Sequence, residues 1–315
     1  MTQHEPREVE HTITVHAPGT EVYRLLAEVE NWPRLFPPSV YVDYLERNGN
    51  EERIRIWATA NGDVKSWASR RRLDPEALRI EFRQEVSAPP VAEMSGTWII
   101  EPQGPDETLL RLLHRYRAVG DDPDGLAWIE QAVDSNSRAE LGALKTNLEL
   151  AAGAEERLLS FTDSIRVNGA AKDVYDFVNE AQLWAERLPH VARVRLTETT
   201  PGLQVLNMDT RTRDGATHTT ESIRVCFPHR RIAYKQTTLP ALMTLHTGYW
   251  EFTEDDQGWT TATSQHTVMI DSEKITQVLG PGAGVTEARS FIREALGNNS
   301  RATLRHAKEY AEARR

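Results

Sequence analysis

The chain has 315 residues and carries 47 acidic against 37 basic side chains, a formal net charge of -10, which excludes a general nucleic-acid binder because phosphate contacts need a basic face. Its single cysteine, Cys226, excludes a disulfide framework and a cysteine-rich metal site and fits a reducing cytoplasm. No run approaches the roughly 18 apolar residues of a membrane span, and the opening MTQHEPREVEH lacks an apolar core, so a cytoplasmic protein with no membrane partner is expected.

In chain order, residues 9–16 alternate Val9, His11, Ile13 and Val15 against polar neighbours, the period of a half-buried strand. Val22, Leu25, Leu26 and Val29 then recur at helical spacing, and Pro33 and Pro37 end a short, broken helix pair. From 41 to 118, strand-like runs are separated by the turn signals NGN (48–50), ANGD (60–63), LDPEA (73–77) and PQGPDE (102–107), which predicts an antiparallel meander. A helical pattern carrying Leu126, Ile129, Val133, Ala139, Leu141, Leu144 and Leu148 closes the unit.

The second half repeats the first. ITVHAPGTEVYRLLAEVENW (13–32) lies over IRVNGAAKDVYDFVNEAQLW (165–184) without a gap, at an offset of 152. The same offset carries Gly96 and Trp98 onto Gly248 and Trp250, and His114 onto His266. NSRAELGALK (136–145) matches NSRATLRHAK (299–308) at an offset of 163, and the extra residues fall in the loop QVLGPGAGV, where insertion costs little. The repeat is domain-sized and predicts two tandem α+β domains, 1–153 and 154–315, with a seam near 151–160. Each is expected to wrap a curved antiparallel sheet around a C-terminal helix, a layout that can hold a ligand cavity.

Strand alternation in WASRRRLDP (67–75) puts Trp67, Ser69, Arg71 and Leu73 on one face, the apolar and hence inner one, and leaves Arg70 and Arg72 in solvent. An inward Arg71 needs a structural partner or a ligand. Aligning the hairpin signal at Asp214 and Gly215 on Asn61 and Gly62 brings Ser69 and Arg71 onto Ser222 and Arg224 of ESIRVCF. There, however, Ile223, Val225 and Phe227 form the apolar parity and point Arg224 outward unless both faces are covered.

Trp32, Tyr41, Trp67, Met94 and Trp98, with Trp184 and Trp250 in the second half, either line a flat cavity or pack a core. His114 and His266 share parity with apolar neighbours, as acid–base groups or as core histidines. No HExxH, P-loop, GxGxxG or GxSxG motif is present, so no metal or nucleotide cofactor is expected.

The pattern ITVHAPGTEVYRLLAEVENWPRLFP, SWASRRRLDP, AEMSGTW and NSRAELGALK resembles the bacterial aromatic polyketide aromatase/cyclases of the helix-grip, START and Bet v 1-like superfamily. The duplication is similar to their didomain subclass. The resemblance implies first-ring C7–C12 aldol closure with aromatisation of a C9-reduced poly-β-ketone, delivered on an acyl carrier protein of a type II polyketide synthase, without a cofactor. It implies that Arg71 binds and polarises the polyketide beside Trp32, Trp67, Ser69, Met94 and Trp98; a pocket tyrosine of some members falls at Ser39, two residues before Tyr41. On this reading Arg71, His114, Arg224 and His266 are candidate catalytic residues, and Ser222 joins the tryptophans in substrate binding. Arg34, Arg70, Arg72 and Arg117 are candidates for a cationic rim facing the carrier. A hydrophobic-ligand carrier on the same fold is the alternative.

Overall fold

The computed structural model describes residues 5–149, 154–211 and 217–315. The chain forms two compact units, Met1–Ala152 and Gly153–Arg315. The hairpin signal at Asp214 and Gly215, and residues 151–153 of the seam, lie outside the described residues.

The first unit runs β1 (Arg7–Val15), α1 (Gly19–Ala27), a 3-10 turn, α2 (Trp32–Leu35), then β2 (Ser39–Asn48), β3 (Glu51–Ala60), β4 (Asp63–Asp74), β5 (Arg79–Val86), β6 (Val91–Gly104) and β7 (Glu107–Ala118), and ends in α3 (Pro123–Glu149). The strands form one antiparallel sheet in the order β1-β7-β6-β5-β4-β3-β2. The second unit begins with α4 (Ala154–Arg157), β8 (Leu158–Val167), α5 (Ala171–Asn179) and α6 (Trp184–Arg187). Its meander is β9 (Val191–Thr200), β10 (Leu203–Arg211), β11 (Thr217–Phe227), β12 (Arg231–Thr238), β13 (Met243–Glu254) and β14 (Thr260–Ile270), followed by α7 (Ile275–Leu279) and α8 (Val285–Glu312). Its order, β8-β14-β13-β12-β11-β10-β9, repeats that of the first sheet, so each unit is the helix grip expected from the pattern.

Local chemistry sets these elements. Asn61 and Gly62 take positive φ values of 49° and 83°, the conformation a tight β3–β4 hairpin requires. Pro123 opens α3 where no intrahelical N–H is needed, and the Asp122 carboxylate accepts from the Gly125 N–H at 2.8 Å. Gly96 recurs as Gly248 for a steric reason. A Cβ on Gly96 would lie 2.1 Å from the Leu113 carbonyl and 2.4 Å from the Phe82 ring, and one on Gly248 would lie 2.1 Å from the Gln265 carbonyl and 2.5 Å from the Tyr234 hydroxyl.

Leu141, Leu144 and Leu148 fasten the end of α3 to Val15, Trp98, Leu110 and Leu112, while Ile129 and Val133 join Met94 and Tyr116 in a separate cluster. A third cluster gathers Val29, Val42, Ile54 and Ile56. Each fully buried leucine contributes about 1.5–3 kcal/mol, so the ends of the helix are anchored while its middle turns stand over a void.

Candidate active site

Between α3 and the inner face of β3–β7 lies a cavity of about 160 Å³, lined among others by Trp32, Ser39, Trp67, Ser69, Arg71, Met94, Trp98 and His114. A larger open groove, about 670 Å³, lies on the other face of the same sheet, where strand alternation presents Arg70, Arg72, Arg83 and Arg115 beside Glu8, Glu10, Glu51 and Glu81. Its wall is a solvated charge mosaic. Unlike the groove, the inner cavity combines aromatic walls with withdrawn polar groups, the usual composition of a small-molecule site.

Arg71 is 2% exposed, and its guanidinium is heavily engaged. Nη2 donates to the Leu26 carbonyl at 2.8 Å and Nη1 to the Ala27 carbonyl at 3.3 Å, the orphan acceptors at the C-terminus of α1. Nη1 also donates to Glu52 Oε2 at 3.3 Å, and the plane stacks 5.1 Å from Trp32. Arg71 is therefore both a cap on α1 and part of the cavity wall. Burial pushes its pKa down to about 10, with Glu52 opposing the shift, so it stays charged at neutral pH. Ser69 donates to the Arg83 carbonyl at 3.1 Å, which fixes the strand beside it.

The aromatic wall is continuous. Trp32 meets Phe36 edge-on at 5.5 Å, and Phe36 stacks on Trp98 at 6.5 Å. Tyr41 is not among the residues lining the cavity. The β2–β3 register shifts between Ser39 and Tyr41, which gives Ser39 the cavity position and sets Tyr41 against Trp57, 5.7 Å between ring centres.

His114 faces the cavity from β7 with Phe82 edge-on at 5.4 Å, and its Nδ1 makes no hydrogen bond among the described residues. Desolvation, with a smaller contribution from His11, pushes it down to about 4, so the imidazole is neutral near pH 7. Facing the same cavity from α3 is Glu140, a residue the sequence reading passed over. Desolvation pushes Glu140 up to about 8, so its carboxyl holds a proton where the histidine does not. The signal for it was spacing, because Ala132, Asn136 and Glu140 are four apart and continue to the buried Leu144. Of the rim candidates, Arg34 donates to Asn31, Arg117 pairs with Asp121 at 3.1 Å, and Arg70 and Arg72 lie on the outer groove. Besides Arg71, the cavity is lined by the cation Lys65, whose ammonium sits 5.4 Å from the Trp128 ring.

The second unit builds the same frame with different contents. Arg224 points inward: Nη2 donates to the Val178 carbonyl at the end of α5 at 2.7 Å, and the guanidinium stacks 5.4 Å from Trp184. The outward expectation from the apolar parity is corrected, because Ile223 and Val225 are also buried and β11 is covered on both faces. Trp184 is buried and donates to the Phe177 carbonyl at 3.3 Å, Trp250 is buried, and Ser222 is half-buried. The positions of Met94, Phe82 and Leu112 are taken by His246, Tyr234 and Ser264, which surround His266. His266 Nδ1 lies 2.9 Å from the Tyr234 hydroxyl and 3.0 Å from His246 Nε2, and its Nε2 lies 3.1 Å from Ser264 Oγ. Burial holds both imidazoles far below their ordinary range, His266 at about 3. Thr303 stands where the first unit has Glu140, and Thr220 where it has Trp67.

Among the described residues no cluster of metal-type ligands occurs and no helix is long and apolar enough to cross a membrane. Residues 6–149 and 159–312 each match the family described as polyketide cyclase / dehydrase and lipid transport. The crystal structure of the di-domain ARO/CYC BexL from the BE-7585A biosynthetic pathway superposes with a TM-score of 0.87 at 66% identity, covering 97% of this chain and 99% of that one. The granaticin polyketide synthase bifunctional cyclase/dehydratase of Streptomyces virginiae is 52% identical over 94% of this chain and 97% of its own length. The corresponding actinorhodin protein of Streptomyces coelicolor is 47% identical over 95% of each. With both halves matched and relatives this similar along nearly their whole length, the chain belongs to the polyketide cyclase/dehydrase family, among its two-unit cyclase/dehydratase enzymes.

Proposed function

We propose that the first-unit cavity closes and aromatises the first ring, C7 to C12, of a C9-reduced poly-β-ketone presented on an acyl carrier protein. The observation that carries this reading is the convergence of a charged guanidinium, a neutral imidazole and a protonated carboxyl on one tryptophan-walled space. A void of about 160 Å³ compares with the roughly 150 Å³ that encloses a benzene ring. It therefore holds the ring being formed, while the rest of the chain runs to the mouth.

The chemistry follows from these three groups. Ring closure needs one acidic methylene of the chain as an enolate against a distant carbonyl carbon, and the shaped wall supplies that register. His114, neutral, accepts the methylene proton. Arg71 donates to the enolate and then to the alkoxide oxygen that forms with the new carbon–carbon bond. The proton taken up by His114 returns to the alkoxide. Glu140 then protonates the resulting C7 hydroxyl, which leaves as water with loss of the C12 proton. The C9 hydroxyl of the reduced chain leaves as a second water with a neighbouring carbon-bound proton, and enolisation of the C11 ketone makes the ring aromatic. A carrier of apolar lipids has no use for this set of buried polar groups, which favours the enzymatic reading.

A minimal synthase with its ketoreductase, run with and without this protein, tests the regiochemistry. The C7–C12 aromatised product is expected to appear only with the protein present. An unchanged product profile, or closure at other carbons, overturns the reading.

A further inference from the structure

Glu52 is fully buried and separates two arginines of opposite exposure. Its Oε2 accepts from Arg71, and its Oε1 lies 3.2 Å from Nε of Arg47, whose side chain is 60% exposed. On β3, Glu52 shares its face with Ile54 and Ile56, so it occupies an apolar position at a desolvation cost. The internal repeat shows what happens without it. Gln204 takes the place of Glu52 across from Arg224, and its amide donates instead to Glu198 at 2.8 Å and Asn179 at 3.3 Å. Arg224 is nevertheless held as Arg71 is, by a carbonyl at the end of the preceding helix and by a tryptophan face. Its Nη1 is buried without a hydrogen-bond partner among the described residues.

A carboxylate in direct contact is thus unnecessary for placing the arginine, since Glu198 reaches Arg224 only through space and by way of Gln204, and the effect of Glu52 lies in charge. We propose that Glu52 is a specificity-determining residue: by neutralising Arg71 it makes the first cavity accept uncharged ketones and reject carboxylates, including chains hydrolysed off their carrier. A bare buried guanidinium traps any anion that reaches it, whereas a compensated one donates hydrogen bonds to a neutral carbonyl and stabilises negative charge only as it develops. This rests on the cavity being the polyketide site.

The test compares 2-naphthoate with methyl 2-naphthoate, titrated by tryptophan fluorescence against the full chain. The wild type is expected to prefer the ester. In Glu52→Gln, which places across from Arg71 the residue type that stands across from Arg224, the acid is expected to gain about tenfold in affinity with the ester within about twofold. Glu52→Asp, which keeps the charge, restores the wild-type ratio. Arg47→Gln, a change at an exposed side chain, tilts the ratio further against the acid and serves as the test should Glu52→Gln fail to fold. An unchanged acid-to-ester ratio in the folded variant overturns the inference. Failure of the wild type to bind either probe overturns the cavity assignment and the inference with it.

Discussion

At the residue scale, the cavity separates two titrations that in water lie about two units apart in the other order. Glu140 at about 8 and His114 at about 4 leave the acid protonated and the base free between those limits. The rate of ring formation should therefore show a plateau between them, falling on the alkaline side as Glu140 ionises. Glu140→Gln should lower the plateau by about 10²–10³ and abolish the alkaline limb; a limb that persists in the variant removes Glu140 from the proton transfer. Stability gives an independent reading with a definite sign. A carboxyl whose pKa is raised on folding favours the folded state most at low pH, and that contribution is lost as pH rises through the folded value. Glu140→Gln should then be progressively more stable than the wild type from about pH 4.5 to about pH 8 in thermal melts.

The same scale shows what the sequence made legible. Arg71 was readable because β4 has one solvated face, so alternation alone separated it from Arg70 and Arg72. Glu52 was readable in principle from its parity with Ile54 and Ile56. Glu140 falls among the apolar positions of α3, between Ile129, Val133 and Leu144 on the helical wheel and away from its other charges, but nothing in a periodic pattern marks the stretch of helix that faces empty space. Tyr41 was misplaced because one irregularity in register exchanges the faces of a strand.

At the scale of elements, the two units put different chemistry on matching strands. In β13 and β14, His246 and His266 are kept neutral by burial, so unfolding releases groups that bind protons near pH 6.5. Their contribution to stability is present at neutral pH and is lost as pH falls below that value, because the unfolded chain then takes up protons that the folded one refuses. Amide protection factors, which remove the intrinsic pH dependence of exchange, should fall in β13 and β14 on acidification from pH 6.5 to pH 5 more than in β6 and β7, where His114 is the buried counterpart. An equal fall in the two pairs would remove the histidine cluster as its cause. Alternation failed in β11 for a related reason, since a strand buried on both faces has no solvent side to read.

At the scale of the molecule, duplication preserved the frame and changed the contents. The arginine cap on the first helix, the stacked tryptophan and the glycine beneath an aromatic ring recur in both units. The carboxyl over the cavity, the tryptophan on β4 and the carboxylate paired with arginine belong to the first unit, and threonine, threonine and glutamine replace them in the second. The fold was legible because strand and helix periods and a repeat offset are encoded along the chain. The division between the units rests on which side chains face each interior, and that depends on register and on space left unfilled.

The most direct test compares Arg71→Lys with Arg224→Lys in the reconstituted synthase. Lysine keeps a cation opposite Glu52, so the roughly 3–5 kcal/mol lost on breaking a buried pair is largely avoided, while the planar donor array is removed. With both variants folded by circular dichroism, the account predicts that Arg71→Lys lowers the C7–C12 product by about 10²–10³ and that Arg224→Lys stays within a few-fold of wild type. Equal losses, or a greater loss from Arg224→Lys, would contradict it.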